Sequence, residues 1–420
     1  MSDDVHIIGV GMIKFGKNFD KSVKMMTGES MQLALDDAGL SKDDIQAAWF
    51  SNSGWGSSAF QHSIRGQVAL TPHGLNHISI INVENACASG STALHSAWMA
   101  IKAGVYDCVL AIGTEKMYVQ PDPRFAAKVD GFISGTDVEE TLGRIDELKA
   151  EAKRRRAEKE KEAREKGVEL APDKGHSIFM DFYAAGARTH MERYGMTQRQ
   201  LAVIAAKAHN NSTMNPLAQY TFPQTVEQVM EDREIAFPLT RAMCAPIGDG
   251  SAAAIVASES FLEKHPSSRA IKILASIMQS GSRLNDGDPA ERGAKMAFEQ
   301  SGVGPDDIDV MEVHDATAFG ELLLTERLGL CPEGEGGPFA ESGATSLGGK
   351  IPVNPSGGLM SRGHPIGASG LAQTYELVTH LRGEAGERQV AGARIAMAEN
   401  GGGTIGNGEA AMAIHVFGKD

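Results

Sequence analysis

The chain has 420 residues, 42% apolar and 22% charged, a balance that excludes wholesale disorder and a disulfide-held miniature. It leaves room for two or three domain-sized units or one large duplicated fold. Forty Lys and Arg against 54 Asp and Glu give a net charge of −14, so no cationic surplus exists with which to hold nucleic acid.

Cys87, Cys108, Cys244 and Cys331 stand far apart without a CxxC pair, which argues against a zinc ribbon and a disulfide framework and fits a reducing cytoplasm. The start, MSDDVHIIGVGMIKFG, has no basic segment followed by a long apolar run. No stretch approaches the roughly 18 apolar residues of a membrane span. The expectation is a soluble, unprocessed intracellular protein with neither nucleic acid nor membrane as partner. Its 48 glycines are more than the usual share, and glycine gathers where backbone approaches ligand or backbone closely.

In chain order, Gly9 and Gly11 come first, but the third glycine of a dinucleotide fingerprint and its acidic residue are missing, so that reading is set aside. Residues 34–45 (ALDDAGLSKDDI) are predicted to end a helix at Gly39 and turn into a strand. Residues 78–83 read as a buried strand, 84–87 as a tight turn and 89–104 as a helix. Cys87 therefore falls at a helix N-terminus, where free N–H groups and the helix dipole favour a thiolate. The competing reading is a small buried hydrophobe.

Residues 109–113 form another buried strand. Residues 151–166, dense in Glu, Lys and Arg without Gly or Pro, are predicted to be helical. That helix is either a solvated face tied by i,i+4 pairs or a docking site, at Arg154, Arg155 and Arg156, for a partner subunit or an anionic ligand. Residues 181–237 mix helical patterning with Pro-punctuated loops and read as a lid.

Four stretches of the first part recur in order in the last. Residues 34–45 match 297–308 (AFEQSGVGPDDI), 90–94 match 367–371, 109–113 match 394–398, and 248–253 (GDGSAA) match 406–411 (GNGEAA). The spacing leaves an insertion over roughly 117–245 in the first copy. Helices alternating with short apolar runs predict helix-covered sheets in each half. By the duplication, His364, fixed between Gly363 and Pro365, starts the helix that corresponds to that of Cys87, and the two helix starts are expected to meet. A histidine beside a thiol can take its proton; the alternative is a structural loop histidine. His314 ends an apolar run at 308–313. Gly401, Gly402 and Gly403 end another, where bare backbone can offer N–H groups to an oxyanion or simply turn.

Cys87 within Glu84-Asn-Ala-Cys-Ala-Ser-Gly90, Gly-His-Pro at 363–365 and the loop 399–403 resemble, in order along the whole chain, the signatures of the thiolases. His314-Asp-Ala316 and the segment 9–15 resemble the sterol-carrier-protein-type and archaeal branch. The resemblance implies an α/β thiolase fold with duplicated βαβαβαββ halves in five layers, αβαβα, carrying an inserted loop region. The units would be 1–116 plus 246–262, the lid 117–245 with its charged helix, and 263–420.

It also implies an acyl-CoA C-acyltransferase with CoA as co-substrate and no tightly bound cofactor or metal. Cys87 would accept the acyl group and His364 would be its base. The N–H groups of Cys87 and Gly401 would hold the thioester oxygen, and His314 with His364 or a water the enolate oxygen. Relatives keep a second cysteine as acid/base at one of two places, which here hold Glu399 and Ala316. The proton transfer then falls to Glu399, to a histidine or to water, or the activity differs; Glu399 is a candidate because a carboxyl in a dry pocket has a raised pKa, and a strand-end cap is its other reading.

The substrate expected from the resemblance is a bulky or aromatic 3-oxoacyl-CoA such as benzoylsuccinyl-CoA. The expected assembly is a homodimer with a small zinc-ribbon/OB-fold partner subunit. A retro-aldolase, against which Cys87 counts, a condensing synthase, and a non-catalytic lipid-binding or scaffold subunit are the alternatives.

Overall fold

The computed structural model describes residues 4–59, 61–118, 177–284, 287–406 and 408–419, together with part of 150–165. Its strands are β1 (Val5–Met12), β2 (Ala47–Ser51), β3 (Ser79–Val83), β4 (Cys108–Glu115), β5 (Glu234–Ala236), β6 (Leu239–Thr240), β7 (Gly250–Ser258), β8 (Ile271–Ser280), β9 (Val310–Glu312), β10 (Ile395–Ile405) and β11 (Gly408–Gly418). One nine-stranded mixed sheet runs β3-β2-β4-β7-β1-β8-β11-β10-β9, and β5 pairs with β6 apart from it. β4 and β7 are buried along their whole length, which is why neither alternates apolar with polar residues.

The sheet has a narrow seam. β1 meets β8 only where His6 faces Lys272 and Ile7 faces Ile271. Outward from the seam the order is β1-β7-β4-β2-β3 on one side and β8-β11-β10-β9 on the other, with Val353 bridging Met311 where a fifth strand would lie.

Helices Ser89–Lys102 and Ser369–Arg382 share one core with both sides of the seam. The outer face of the first side is covered by helices Val23–Ala38 and Arg65–Leu70. Helices Pro289–Ser301 and Ala318–Arg327 cover the outer face of the second. The result is the α-β-α-β-α layering expected from the resemblance.

The first sequence echo is also a structural one. Helix Val23–Ala38 stops at Gly39 (φ 67) and helix Pro289–Ser301 at Gly302 (φ 75), left-handed positions that favour glycine. A short 3₁₀ turn follows each, closed in the same way: the Ser41 N–H donates to Asp44 Oδ2 at 2.8 Å and the Gly304 N–H to Asp307 Oδ2 at 2.8 Å.

The two central helices meet at their N-termini. A methyl group on Gly90 would lie 3.1 Å from the Gly370 nitrogen and 3.0 Å from that of Leu371, so glycine allows this approach without pushing the backbones apart. Gly9 has a packing role as well, since a methyl there would lie 2.7 Å from Ala38 Cβ.

Between β4 and β7 the described chain forms helices Ile178–Tyr194, Gln198–Ser212 and Val226–Glu231 and the β5–β6 hairpin. These build their own apolar core on helix Ala318–Arg327. The described residues of the charged run are helical, and Arg156 pairs with Glu160 one turn on at 3.0 Å. Arg155 lies outside the described residues, as do 119–149 and 166–176.

Candidate active site

After β3 the chain turns through Ala86 at φ 48 before helix Ser89–Lys102 begins. A left-handed alanine costs roughly 1–2 kcal/mol, so side chains must hold the turn. Glu84 Oε1 accepts the Ala86 N–H at 2.6 Å, and Ser89 Oγ accepts that of Asn85 at 2.8 Å while donating to the Ala86 carbonyl at 2.6 Å. This presents Cys87, half-buried, in the lining of a cavity.

Burial, reinforced by the charges of Glu409, Glu115 and Glu84, pushes the Cys87 thiol up to about 12 against the help of a hydrogen bond from the Gly403 N–H. Desolvation thus works against the thiolate that the helix terminus favours and toward a neutral resting thiol.

His364 answers that need. Its Nε2 lies 3.2 Å from Cys87 Sγ and its Nδ1 2.7 Å from Ser369 Oγ. Ser369 donates its own proton to the Pro365 carbonyl at 3.0 Å, so it accepts from His364 Nδ1–H. The ring is thereby fixed in the tautomer whose Nε2 lone pair faces the thiol. Burial first, then the neighbouring His314 and Arg362 charges, holds the His364 pKa well below its usual value, so the ring is neutral and able to accept a proton.

His314 stands edge-on to His364 with ring centroids 5.2 Å apart. Ser91 Oγ donates to Asn400 Oδ1 at 3.0 Å, which turns the Asn400 amide N–H toward His314 Nδ1 at 3.1 Å. His314 then carries its proton on Nε2. Burial lowers its pKa to about 4. A buried ion pair locks the segments bearing the two histidines: Arg362 and Glu312, each two residues before its histidine, meet at 3.0 Å.

Glu399 faces the backbone of His314. It is fully buried and absent from the cavity lining, with Oε2 accepting the His314 N–H at 2.9 Å. The register of β10 on β9, which sets Ala398 beside Glu312, brings it behind His314 rather than in front of the substrate space. Burial and then the charge of Glu409 hold its pKa well above the usual carboxylate range.

Gly401, Gly402 and Gly403 all line the cavity with Cys87, His314 and His364, and Ala316 lines it without a titratable group. Of the three glycines expected to offer N–H groups, Gly403 is the one whose N–H reaches the Cys87 sulfur. One residue escaped the sequence reading: Glu409 on β11, which lines the cavity while Glu399 does not. The echo of 248–253 in 406–411 held a clue, since it sets Glu409 opposite the small Ser251.

The cavity measures about 840 Å3, and Arg233 and Arg241 are among its lining residues. A second chamber of about 630 Å3 shares Phe179, Tyr183, His314, Thr404 and Glu409 with it and is walled by Phe182, Tyr194 and Phe319. The sulfur of Cys87 and a ring nitrogen of each of His314 and His364 converge within 4.8 Å, close enough to hold a soft cation as well as to move a proton.

The family models agree with this architecture. The thiolase N-terminal domain model matches residues 5–235 and the model described as thiolase C-terminal domain-like matches 276–415. An acetyl-CoA acetyltransferase of Methanothermobacter thermautotrophicus is 38% identical over 99% of this chain and 100% of that protein. Sterol carrier protein 2 of Bos taurus is 38% identical over 94% of this chain and 69% of that protein. The benzoylsuccinyl-CoA thiolase subunit BbsB of Thauera aromatica is 32% identical over 95% and 94%.

Among solved structures, the Ltp2-ChsH2(DUF35) aldolase superposes with a TM-score of 0.76 at 20% identity, covering 99% of this chain and 98% of that one. Human mitochondrial 3-ketoacyl-CoA thiolase in complex with CoA does so at 0.68 and 17%, covering 100% and 98%. At such identities these likenesses speak for the fold alone. Among the described residues no helix is long and apolar enough to cross a membrane. The chain belongs to the thiolase family and is an acyltransferase acting on acyl-CoA.

Proposed function

We propose that the enzyme cleaves a bulky or aromatic 3-oxoacyl-CoA, of the benzoylsuccinyl-CoA kind, with CoA through an acyl-enzyme on Cys87. The observation that carries this reading is the 3.2 Å contact between Cys87 Sγ and the His364 Nε2 lone pair. His364 takes the thiol proton as sulfur attacks the 3-oxo carbon. N–H groups of Cys87 and Gly401, with Gly403 beside them, stabilise the oxyanion, and His314 Nε2–H stabilises the enolate oxygen of the departing acyl-CoA. CoA then attacks the thioester and returns Cys87. It enters past Arg233 and Arg241, whose charges suit its phosphates.

The aromatic second chamber supports a bulky acyl group, and the name of the Thauera relative supports the same substrate class. The proposal includes a cytoplasmic homodimer paired through the partly exposed edge strand β3, and the three units 1–116 plus 246–262, 117–245 and 263–420. It also includes a small zinc-ribbon/OB-fold partner subunit, by analogy with an aldolase whose name joins Ltp2 to ChsH2(DUF35).

Intact-mass measurement after incubation with benzoyl-CoA, succinyl-CoA and acetyl-CoA tests it. The expected result is a benzoyl mass gain on Cys87 that is lost in Cys87→Ala. No gain from any of the three would remove the acyl-enzyme, and a gain from acetyl-CoA alone would remove the aromatic substrate.

A further inference from the structure

Cleaving the bond between C2 and C3 of a 3-oxoacyl-CoA leaves an electron pair at C2 that must receive a proton. Ala316 has none to give, and Glu399 is sealed behind His314. Two carboxyls line the cavity with Cys87, His314 and His364: Asp232, which is held by Arg241 at 2.8 Å, and Glu409. Glu409 stands on β11 opposite Thr404 of β10 and lines both chambers where they join. A methyl group on Gly401 would run into Glu409 Oε1, so the carboxyl lies over the glycine loop whose next residues flank Cys87. Glycine at 401 is what leaves room for it.

We propose that Glu409 is the acid and base at the substrate α-carbon, a role that rests on the thiolase reading above. As sulfur attacks the 3-oxo carbon, the thiol proton passes to His364. The C2–C3 bond breaks with its electrons moving to C2, and C2 takes the proton of the neutral Glu409 carboxyl, leaving acyl-CoA, the Cys87 thioester and a Glu409 carboxylate. Incoming CoA gives its thiol proton to that carboxylate and attacks the thioester, and Cys87 leaves as a thiolate that recovers its proton from His364. One CoA is consumed, two acyl-CoA products form, and every group on the enzyme is restored.

The surroundings suit the acid form. Glu409 is faced by Glu399 from β10, Tyr183 from helix Ile178–Tyr194, Cys87 from the nucleophile turn, and Asp288, itself paired with Arg327 at 3.4 Å, from the start of helix Pro289–Ser301. Burial, then the Asp288 charge, raises its pKa to about 8.

The test uses the full-length enzyme and deuterium exchange at C2 of succinyl-CoA and acetyl-CoA in D₂O, with iodoacetamide labelling of Cys87 as a check on the folded site. Glu409→Gln keeps the shape and should lower exchange at least about 100-fold while labelling persists, and Glu409→Asp should recover part of the loss. Exchange within tenfold of wild type in a normally labelled Glu409→Gln enzyme would overturn the assignment. So would loss of exchange in Glu399→Gln with retention in Glu409→Gln. A wild-type enzyme that exchanges C2 protons but never acylates Cys87 would remove the acyl-enzyme reading and leave Glu409 as the base. Acylation of Cys87 with no exchange in wild type would do the reverse.

Discussion

The two central helix starts occupy equivalent places in the duplicated sheet yet differ in almost every physical respect. The first follows a strand on the open edge of the sheet, passes through a strained Ala86 and leaves Cys87 accessible from the cavity. The second follows a Gly-rich loop, and residues 351–374 around it are buried throughout. Arg362 inside that loop has no exposed surface and is held by Glu312. One copy thus offers a thiol on a turn, and the other an imidazole whose direction is set by a rigid frame and which the proposed mechanism uses as the base. Duplication supplied two similar scaffolds meeting at glycines, and the chemistry comes from how they diverged.

The largest loss should come from the frame. Arg362→Ala leaves Glu312 buried without its partner and should cost about 3–5 kcal/mol in urea unfolding, whereas removing the exposed Arg199–Glu227 pair should leave the unfolding midpoint almost unmoved. An equal cost for both would erase the contrast between buried frame and open surface.

His364→Ala should slow acylation of Cys87 by about 10²- to 10⁴-fold, read by stopped intact-mass time courses, with little change in unfolding. Acidification should then reveal the frame electrically. His314 titrates at about 4 when folded and near 6.5 when unfolded, so below 6.5 the unfolded chain binds a proton that the folded one refuses. Stability should fall from pH 6.5 to about 4 by as much as about 3 kcal/mol from this group. The checking measurement is a melting series in which His314→Asn has a flatter acid limb.

Ser369→Ala removes the acceptor that fixes the His364 tautomer and should slow acylation by about five- to tenfold, the worth of one neutral hydrogen bond. Smallest are the repeated caps: Gly39→Ala and Gly302→Ala should each cost about 1 kcal/mol, and the double variant about their sum, because the two sites lie in separate halves.

Much of this was legible in the chain. Gly39 and Gly302 announced two helix ends because a left-handed stop is a local requirement, and Cys87, His364 and His314 sit at element ends that apolar periodicity can locate. The burial of the Cys87 thiol was not legible, because it depends on how distant segments close around the cavity, and two of the carboxyls acting on it, Glu115 and Glu409, are far away in sequence. The surroundings of Glu399 were hidden for a related reason. A motif position specifies a place on a strand, but the direction of its carboxyl was decided by an N–H of His314 on a neighbouring segment. Glu409 needed the hairpin pairing of β10 with β11 before it could be seen to lie over Gly401.

The central claim is that Cys87 and His364 rest as a neutral pair and that the proton moves only as the sulfur reacts. The pH profile of iodoacetamide alkylation at Cys87, read on its own peptide by mass spectrometry, tests this directly. The account predicts a rate that keeps rising through pH 9 and falls in His364→Ala near neutrality. A plateau reached below pH 7 and unchanged by His364→Ala would mean a thiolate already formed by the helix terminus, and would contradict it.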